Sequence, residues 1–133
     1  MSIFDCVYEL ANARLQLIVT ALDGAALPGE VWLYGGTRPT TRGGVTAEPV
    51  QCVIALPRPC AVVVDAVLTL SEAEGERVAD APLTWGRLVD GAGKTWADFD
   101  VSTVAAGTGA LQLNTVVGAI GDLVRIVSGT LSE

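Results

Sequence analysis

The sequence predicts a mainly β protein, an antiparallel β-sandwich of about seven strands preceded by one N-terminal α-helix. Three observations carry that prediction. Apolar residues recur at helical spacing only up to about residue 22. From Glu30 onward the period changes to two, in short runs rich in β-branched and aromatic residues. Between those runs stand closely spaced Gly, Pro, Asp and Thr turn signals.

The helix comes first. Phe4, Val7, Ala11, Leu15, Ile18 and Leu22 recur at intervals of three and four and form a wide apolar stripe. Ser2 is placed to cap the helix, and Asp5 in its first turn suits the positive end of the dipole. Asp23-Gly24 ends it and Pro28-Gly29 turns the chain. Such a stripe must pack on something, either this chain's own sheet or a neighbouring subunit, and the sequence leaves both open.

The strands follow. Glu30–Tyr34 puts Trp32 and Tyr34 on one face and Val31 and Leu33 on the other. The segment GGTRPTTRGGVTAEP is a long loop, and Val50–Leu56 is a strand ended by Pro57-Arg58-Pro59. Ala61–Leu70 is expected as one longer strand, Ser71–Glu76 as an acidic turn and Arg77–Ala81 as a short strand. Leu83–Val101 reads as a hairpin with a loop at Gly91-Ala92-Gly93. Its expected pairs are Asp90 with Lys94, Val89 with Thr95, Arg87 with Ala97, Trp85 with Phe99 and Leu83 with Val101. Such cross-strand pairs contribute roughly 0.2–1 kcal/mol each. After a loop at Ala105–Gly109, Ala110–Asn114 and Asp122–Leu131 complete the set. The expected organisation is a single domain over residues 1–133, with the helix in 1–23 and the sandwich in 30–133.

Composition bounds the chemistry. The net charge of −7 repels phosphate backbones, so nucleic acid is not an expected partner. No apolar run reaches the roughly 18 uncharged residues of a membrane span, so no membrane role is expected. The N-terminal segment carries Asp5, Glu9 and Arg14 without a basic start, which is not expected of a secretory signal. There is no histidine, which removes the commonest general base, the commonest metal ligand and every Ser-His or Cys-His nucleophile. Cys6, Cys52 and Cys60 are an odd set without histidine, which makes a poor zinc site. Cys52 shares the alternation of Val50, Ile54 and Leu56 and reads as a buried small hydrophobe, with a Cys52–Cys60 bridge as the alternative.

Several segments invite a functional reading. GAGKT at Gly91–Thr95 resembles the end of a phosphate-binding loop, but Leu88 stands where that signature needs its first glycine, and no helical pattern follows. It reads as a hairpin turn. Asp98 and Asp100, same-face neighbours beside Trp96, have the form of a glycosidase pair or a cation site, against the plainer reading of a solvent-facing strand side. Glu72, Glu74 and Glu76 lack the spacing of a calcium loop. Tyr34, Arg38 and Arg42 around the Thr-rich loop, and Trp96 on the hairpin, are the residue types that dominate protein–protein contacts, and they are the candidate interface.

Four segments are similar to motifs of small tailed-bacteriophage virion proteins: Tyr34-Gly35-Gly36-Thr37-Arg38-Pro39, Thr84-Trp85-Gly86-Arg87, Leu111-Gln112-Leu113-Asn114-Thr115 and Gly121-Asp122-Leu123-Val124-Arg125-Ile126. The chain departs from that pattern between Thr115 and Gly121, where its connection is longer. The resemblance implies a virion structural protein, a capsid decoration or cement protein on the head, assembled in the bacterial host cytoplasm. Implied partners are the major capsid protein or other virion proteins, with the chain itself a homo-oligomer. It implies no catalytic residues, no cofactor and no metal. A tail or baseplate component is the alternative within that class. Outside it stands a carbohydrate-binding module using Trp96 with Asp98 and Asp100 as a platform.

Overall fold

A computed structural model describes residues 3–24, 27–41, 43–44, 46, 48–107 and 109–132, with side chains described from residue 9 to residue 130 of these. Helix α1 (Ile3–Gly24) precedes nine strands: β1 (Glu30–Tyr34), β2 (Val50–Ala55), β3 (Ala61–Val64), β4 (Val67–Leu70), β5 (Glu74–Glu76), β6 (Trp85–Val89), β7 (Thr95–Thr103), β8 (Leu111–Leu113) and β9 (Leu123–Ser132). The mainly β reading with one N-terminal helix holds. The all-antiparallel sandwich does not describe the pairings. They form one mixed sheet in the order β2-β1-β6-β7-β8-β9-β4-β3, with β5 also against β9. β7 and β8 run parallel, Val101 opposite Leu111.

The sheet curls until its pairings meet. β4 and β5 face β9 in one register, Thr69 opposite Thr130 and Glu74 opposite Arg125, with the Ile126 N–H donating to the Ala73 carbonyl between them. Beyond β5, Arg77 bridges to Cys52, and the Val78 N–H donates to the Gln51 carbonyl. A continuous circuit of pairing therefore runs β2-β1-β6-β7-β8-β9-β5 and returns to β2. The alternation within each strand then sets inside against outside. Val31, Leu33, Cys52, Ile54, Leu88 and Phe99 belong to one buried cluster with Leu111, Leu113, Val124 and Ile126. Trp32 and Tyr34 stand on the other face of β1, as expected.

The helix docks on this body. Leu15, Val19 and Leu22 join the core, and α1 packs against β3 and β4. Two polar contacts fix its position: the Ala66 N–H donates to Asn12 Oδ1 at 2.6 Å, and the Cys60 N–H donates to Asp23 Oδ1 at 3.1 Å. Its end is seated where a Cβ on Gly29 would lie 2.7 Å from Leu22 Cδ2. The expected Ser2 cap lies outside the described residues.

Three expectations are corrected. Ala61–Leu70 is a hairpin of two strands, because Asp65 and Ala66 both take positive φ (50° and 64°) and turn the chain in two residues. The Asn12 side chain receives the N–H that this turn exposes. Ser71–Glu76 is more than a turn, since Glu74–Glu76 pairs with β9 as β5. Arg77–Ala81 makes a single bridge, at Arg77, rather than a strand. Cys52 is a buried small hydrophobe, and both it and Cys60 are free thiols. The Cys60 thiol is pushed up to about 12, first by burial and then by the adjoining Asp23 carboxylate.

Closure depends on a close approach at Gly75, where a Cβ would strike the Val53 carbonyl oxygen, a backbone atom with little room to move. Gly75→Ala should therefore lower stability by about 1–3 kcal/mol in denaturant unfolding. Gly24→Ala, where a Cβ meets nothing within 4 Å, should leave stability unchanged or slightly raised.

Candidate functional site

The β6–β7 hairpin opens as its sequence predicts. Val89 faces Thr95, the Asp90 N–H donates to the Lys94 carbonyl at 3.0 Å, and the Gly93 N–H donates to the Asp90 carbonyl at 3.0 Å. The register then shifts. Leu88 faces Ala97, Arg87 faces Asp98, Gly86 faces Phe99 and Trp85 faces Asp100. Trp96 is the extra residue of a β-bulge. The expected pairs of Trp85 with Phe99 and Arg87 with Ala97 are thereby replaced, and Trp85 and Phe99 stand on opposite faces.

The physical reasons lie in the new neighbours. Phe99 fits over Gly86, where a Cβ would sit 2.9 Å from Phe99 Cε2. Arg87 meets Asp98 directly, with Nε to Oδ1 at 2.8 Å. Trp96 turns to pack beside the core, and its indole N–H donates to Asp90 Oδ2 at 2.9 Å.

Trp85 faces outward from the core and is still fully buried, because the chain between β1 and β2 folds back over it as a strap. Beneath the strap the Tyr34 and Trp85 rings stack with centroids 4.3 Å apart and planes 10° from parallel. The Trp85 indole N–H donates to the Gly35 carbonyl at 3.0 Å, and Thr84 Oγ1 donates to the Gly36 carbonyl at 2.7 Å. The Arg87 guanidinium lies 5.2 Å from the Trp85 ring centroid and 5.9 Å from that of Tyr34, within cation–π range. It also donates to the Gly44 carbonyl at 2.9 Å. Asp98 completes the network by accepting the Gly43 N–H at 3.0 Å. Only 10% of the Arg87 side chain and 5% of the Asp98 side chain remain exposed, so each charge depends on the other. Burial, the leading cause, holds the Tyr34 hydroxyl above its ordinary pKa, and the nearby Arg87 charge partly offsets this.

The four candidate interface residues fall into different environments. Tyr34 is buried under the strap, so it supports the surface rather than forming it. Arg38 is exposed and reaches back, Nη1 donating to the Asp98 carbonyl at 3.4 Å and Nε lying 3.5 Å from Asp100 Oδ1. Arg42 lies outside the described residues. Trp96 is half-buried under Lys94, whose Nζ sits 4.3 Å from the ring centroid. The sugar platform of Trp96, Asp98 and Asp100 does not assemble: the Asp98 side chain is buried in its ion pair, Trp96 belongs to the core side, and only Asp100 is exposed as a solvent-facing strand residue would be. Among the described residues no group of three or more His, Cys, Asp or Glu is placed to hold a metal ion.

The sequence reading missed Arg87 and Asp98 as partners. Their opposite charges, symmetric about the hairpin loop but for one residue, were the available signal.

The four motif segments of the sequence meet in two pairs. The Tyr34–Pro39 segment is bonded to Thr84-Trp85 under the strap, where the Thr84 N–H also donates to the Tyr34 carbonyl at 2.9 Å. Leu111–Asn114 pairs with the β9 segment, where the Asn114 N–H donates to the Arg125 carbonyl and the Arg125 N–H returns to Asn114 Oδ1 at 2.8 Å. No family model, curated protein or solved structure matches the chain.

Asp98→Ala strands the Arg87 charge under the strap and should cost about 3–5 kcal/mol in chemical denaturation, with faster cleavage between residues 36 and 44 by a non-specific protease. Asp100→Ala removes only an exposed ion pair and should cost about 0–1 kcal/mol. A pH dependence follows from Asp90. The Trp96 indole N–H and the Lys94 and Ala92 amides hold its carboxyl below the ordinary carboxylate range. A folded pKa below the unfolded one gives stability that is complete above the unfolded value and lost as pH falls through the folded one. Asp90→Asn should be less stable than the parent at pH 7, and the difference should shrink when melts are repeated at increasing acidity.

Proposed function

We propose that this protein is a bacteriophage virion structural protein, a capsid decoration or cement protein that stabilises the head shell through protein–protein contacts. The observation that carries the reading is how the charged groups of the strapped face are used. Arg87, Asp98 and Asp90 are each tied to partners within the chain, so these charges brace the surface instead of standing open to a substrate. The virion-like segments support it in the same way, since they meet as structural pairs rather than around a cleft.

A cement protein adds binding energy between shell subunits, and a standard interface needs about 800 Å² of complementary surface per partner. Arg38 of the strap and Asp100 of β7, exposed above the buried pair, are the charged contribution of this face to such a surface.

The test is the copy number of this chain in purified particles, read by quantitative mass spectrometry. Hundreds of copies per particle are the expected result. Six copies, or a small multiple of three, would move the protein to the tail or baseplate, and binding of the free protein on a glycan array would favour the carbohydrate-binding reading instead.

A further inference from the structure

Helix α1 carries two apolar faces, and the body of the protein covers one of them. Ala11, Leu15, Val19 and Leu22 are buried against the sheet. Leu10 and Leu17 are 54% and 64% exposed, and Ala13 and Thr20 are exposed with them. At about 100° per residue, the row Leu10-Ala13-Leu17-Thr20 lies roughly 180° around the axis from the buried face. Leu10 and Leu17 are seven apart, and Ile3 stands seven before Leu10 in the sequence, with Cys6 continuing the row of Ala13 and Thr20. This is the heptad spacing of a coiled-coil seam, with large residues at one core position and small ones at the other.

Asp23 meets Cys60 and Asn12 meets the β3–β4 turn at Ala66, so the turns of helix before Asn12 continue past the end of that hairpin.

The flanking charges name the occupant. Glu9 takes the position just before one large core residue, and Arg14, five residues on, takes the matching position on the other side of the seam. Two identical helices in parallel bring Glu9 of each against Arg14 of the other, twice by symmetry. An antiparallel pair brings each of these positions against itself, like charge on like.

We propose that α1 pairs with α1 of a second copy in a parallel two-helix seam through Leu10, Ala13 and Leu17, oriented by Glu9 and Arg14. This interface is separate from the virion role, because a monomer could still bind a capsid and a dimer need not.

The test is the mass of the full-length chain by sedimentation or light scattering across concentrations up to about 100 μM, a range that reports micromolar association. The parent should move from 13.7 kDa towards twice that mass. Leu17→Glu, at an exposed position, should keep its melting temperature measured at low concentration and weaken association roughly a hundredfold or more. Glu9→Arg or Arg14→Glu alone should weaken association on the order of tenfold, and the exchanged double variant should recover it. A parent that stays monomeric throughout overturns the proposal, as does a Leu17→Glu variant that associates like the parent. A double variant no better than either single change overturns the parallel pairing. If the parent is monomeric but Leu17→Glu is lost from assembled particles, the seam belongs to another protein and the second-copy assignment fails.

Discussion

Arg87 and Asp98 are almost wholly removed from water, and the outer face of the sheet is organised around that fact. Two charges leave bulk solvent at a cost of several kcal/mol per ion, recovered only where their geometry and remaining hydrogen bonds are good. Here the guanidinium gives Nε to one carboxylate oxygen and another nitrogen to the Gly44 carbonyl, and the carboxylate receives the Gly43 amide. Both strap contacts come from backbone atoms, so the pair fixes the course of the chain over residues 43–44 whatever side chains stand beside them. Gly43 itself takes a positive φ of 70°, a conformation the turn needs there. The aromatic stack then follows: Trp85 can lie outside the core and still be dry only while the strap stays down.

Much of the fold was legible from letters. β1 was bounded correctly, and the two faces of its alternation are real. The helix and β2 were off by a residue or two, which is where helix ends and strand ends fray. The failures have a common cause. A period of two says which residues share a face only while the count is unbroken, and a bulge at Trp96 changes the count by one. Apolar pairing pointed to Trp85 with Phe99. The molecule instead pairs Arg87 with Asp98, a gain invisible until the strap is known to exclude water. The turn at Asp65-Ala66 was hidden similarly, since positive φ at two non-glycine residues has no letter of its own and depends on Asn12, far away in sequence. The candidate interface suffered most. Residue type suggested exposure for Tyr34, while its ring was needed underneath.

Closure of the pairing circuit has a consequence for assembly. A strand edge with unpaired amides is the readiest surface for joining another chain. In this sheet the edges of β2 and β5 are turned on each other through the Arg77 bridge, and the pairing path ends at β3. β3 is only four residues long and has α1 packed against it. Short, covered edges are how β proteins blunt pairing with other chains. Contacts with other molecules are thereby directed to side-chain surfaces.

Those surfaces differ in kind. Above the strap, exposed charge sits on a stiff base, which suits recognition of a complementary partner more than raw affinity. Along the outer side of α1, Leu10, Ala13 and Leu17 are exposed between Glu9 and Arg14, and burial of apolar area is what that row has to give. The proposed decoration role would use both properties, one to choose a place on a shell and one to join neighbours. Their separation to the helix and to the β1–β6–β7 face lets either be altered without disturbing the core they share. The helix keeps its place by its inner side, where Leu15, Val19 and Leu22 enter the core and Asn12 and Asp23 receive backbone amides, so its outer side is left to other uses.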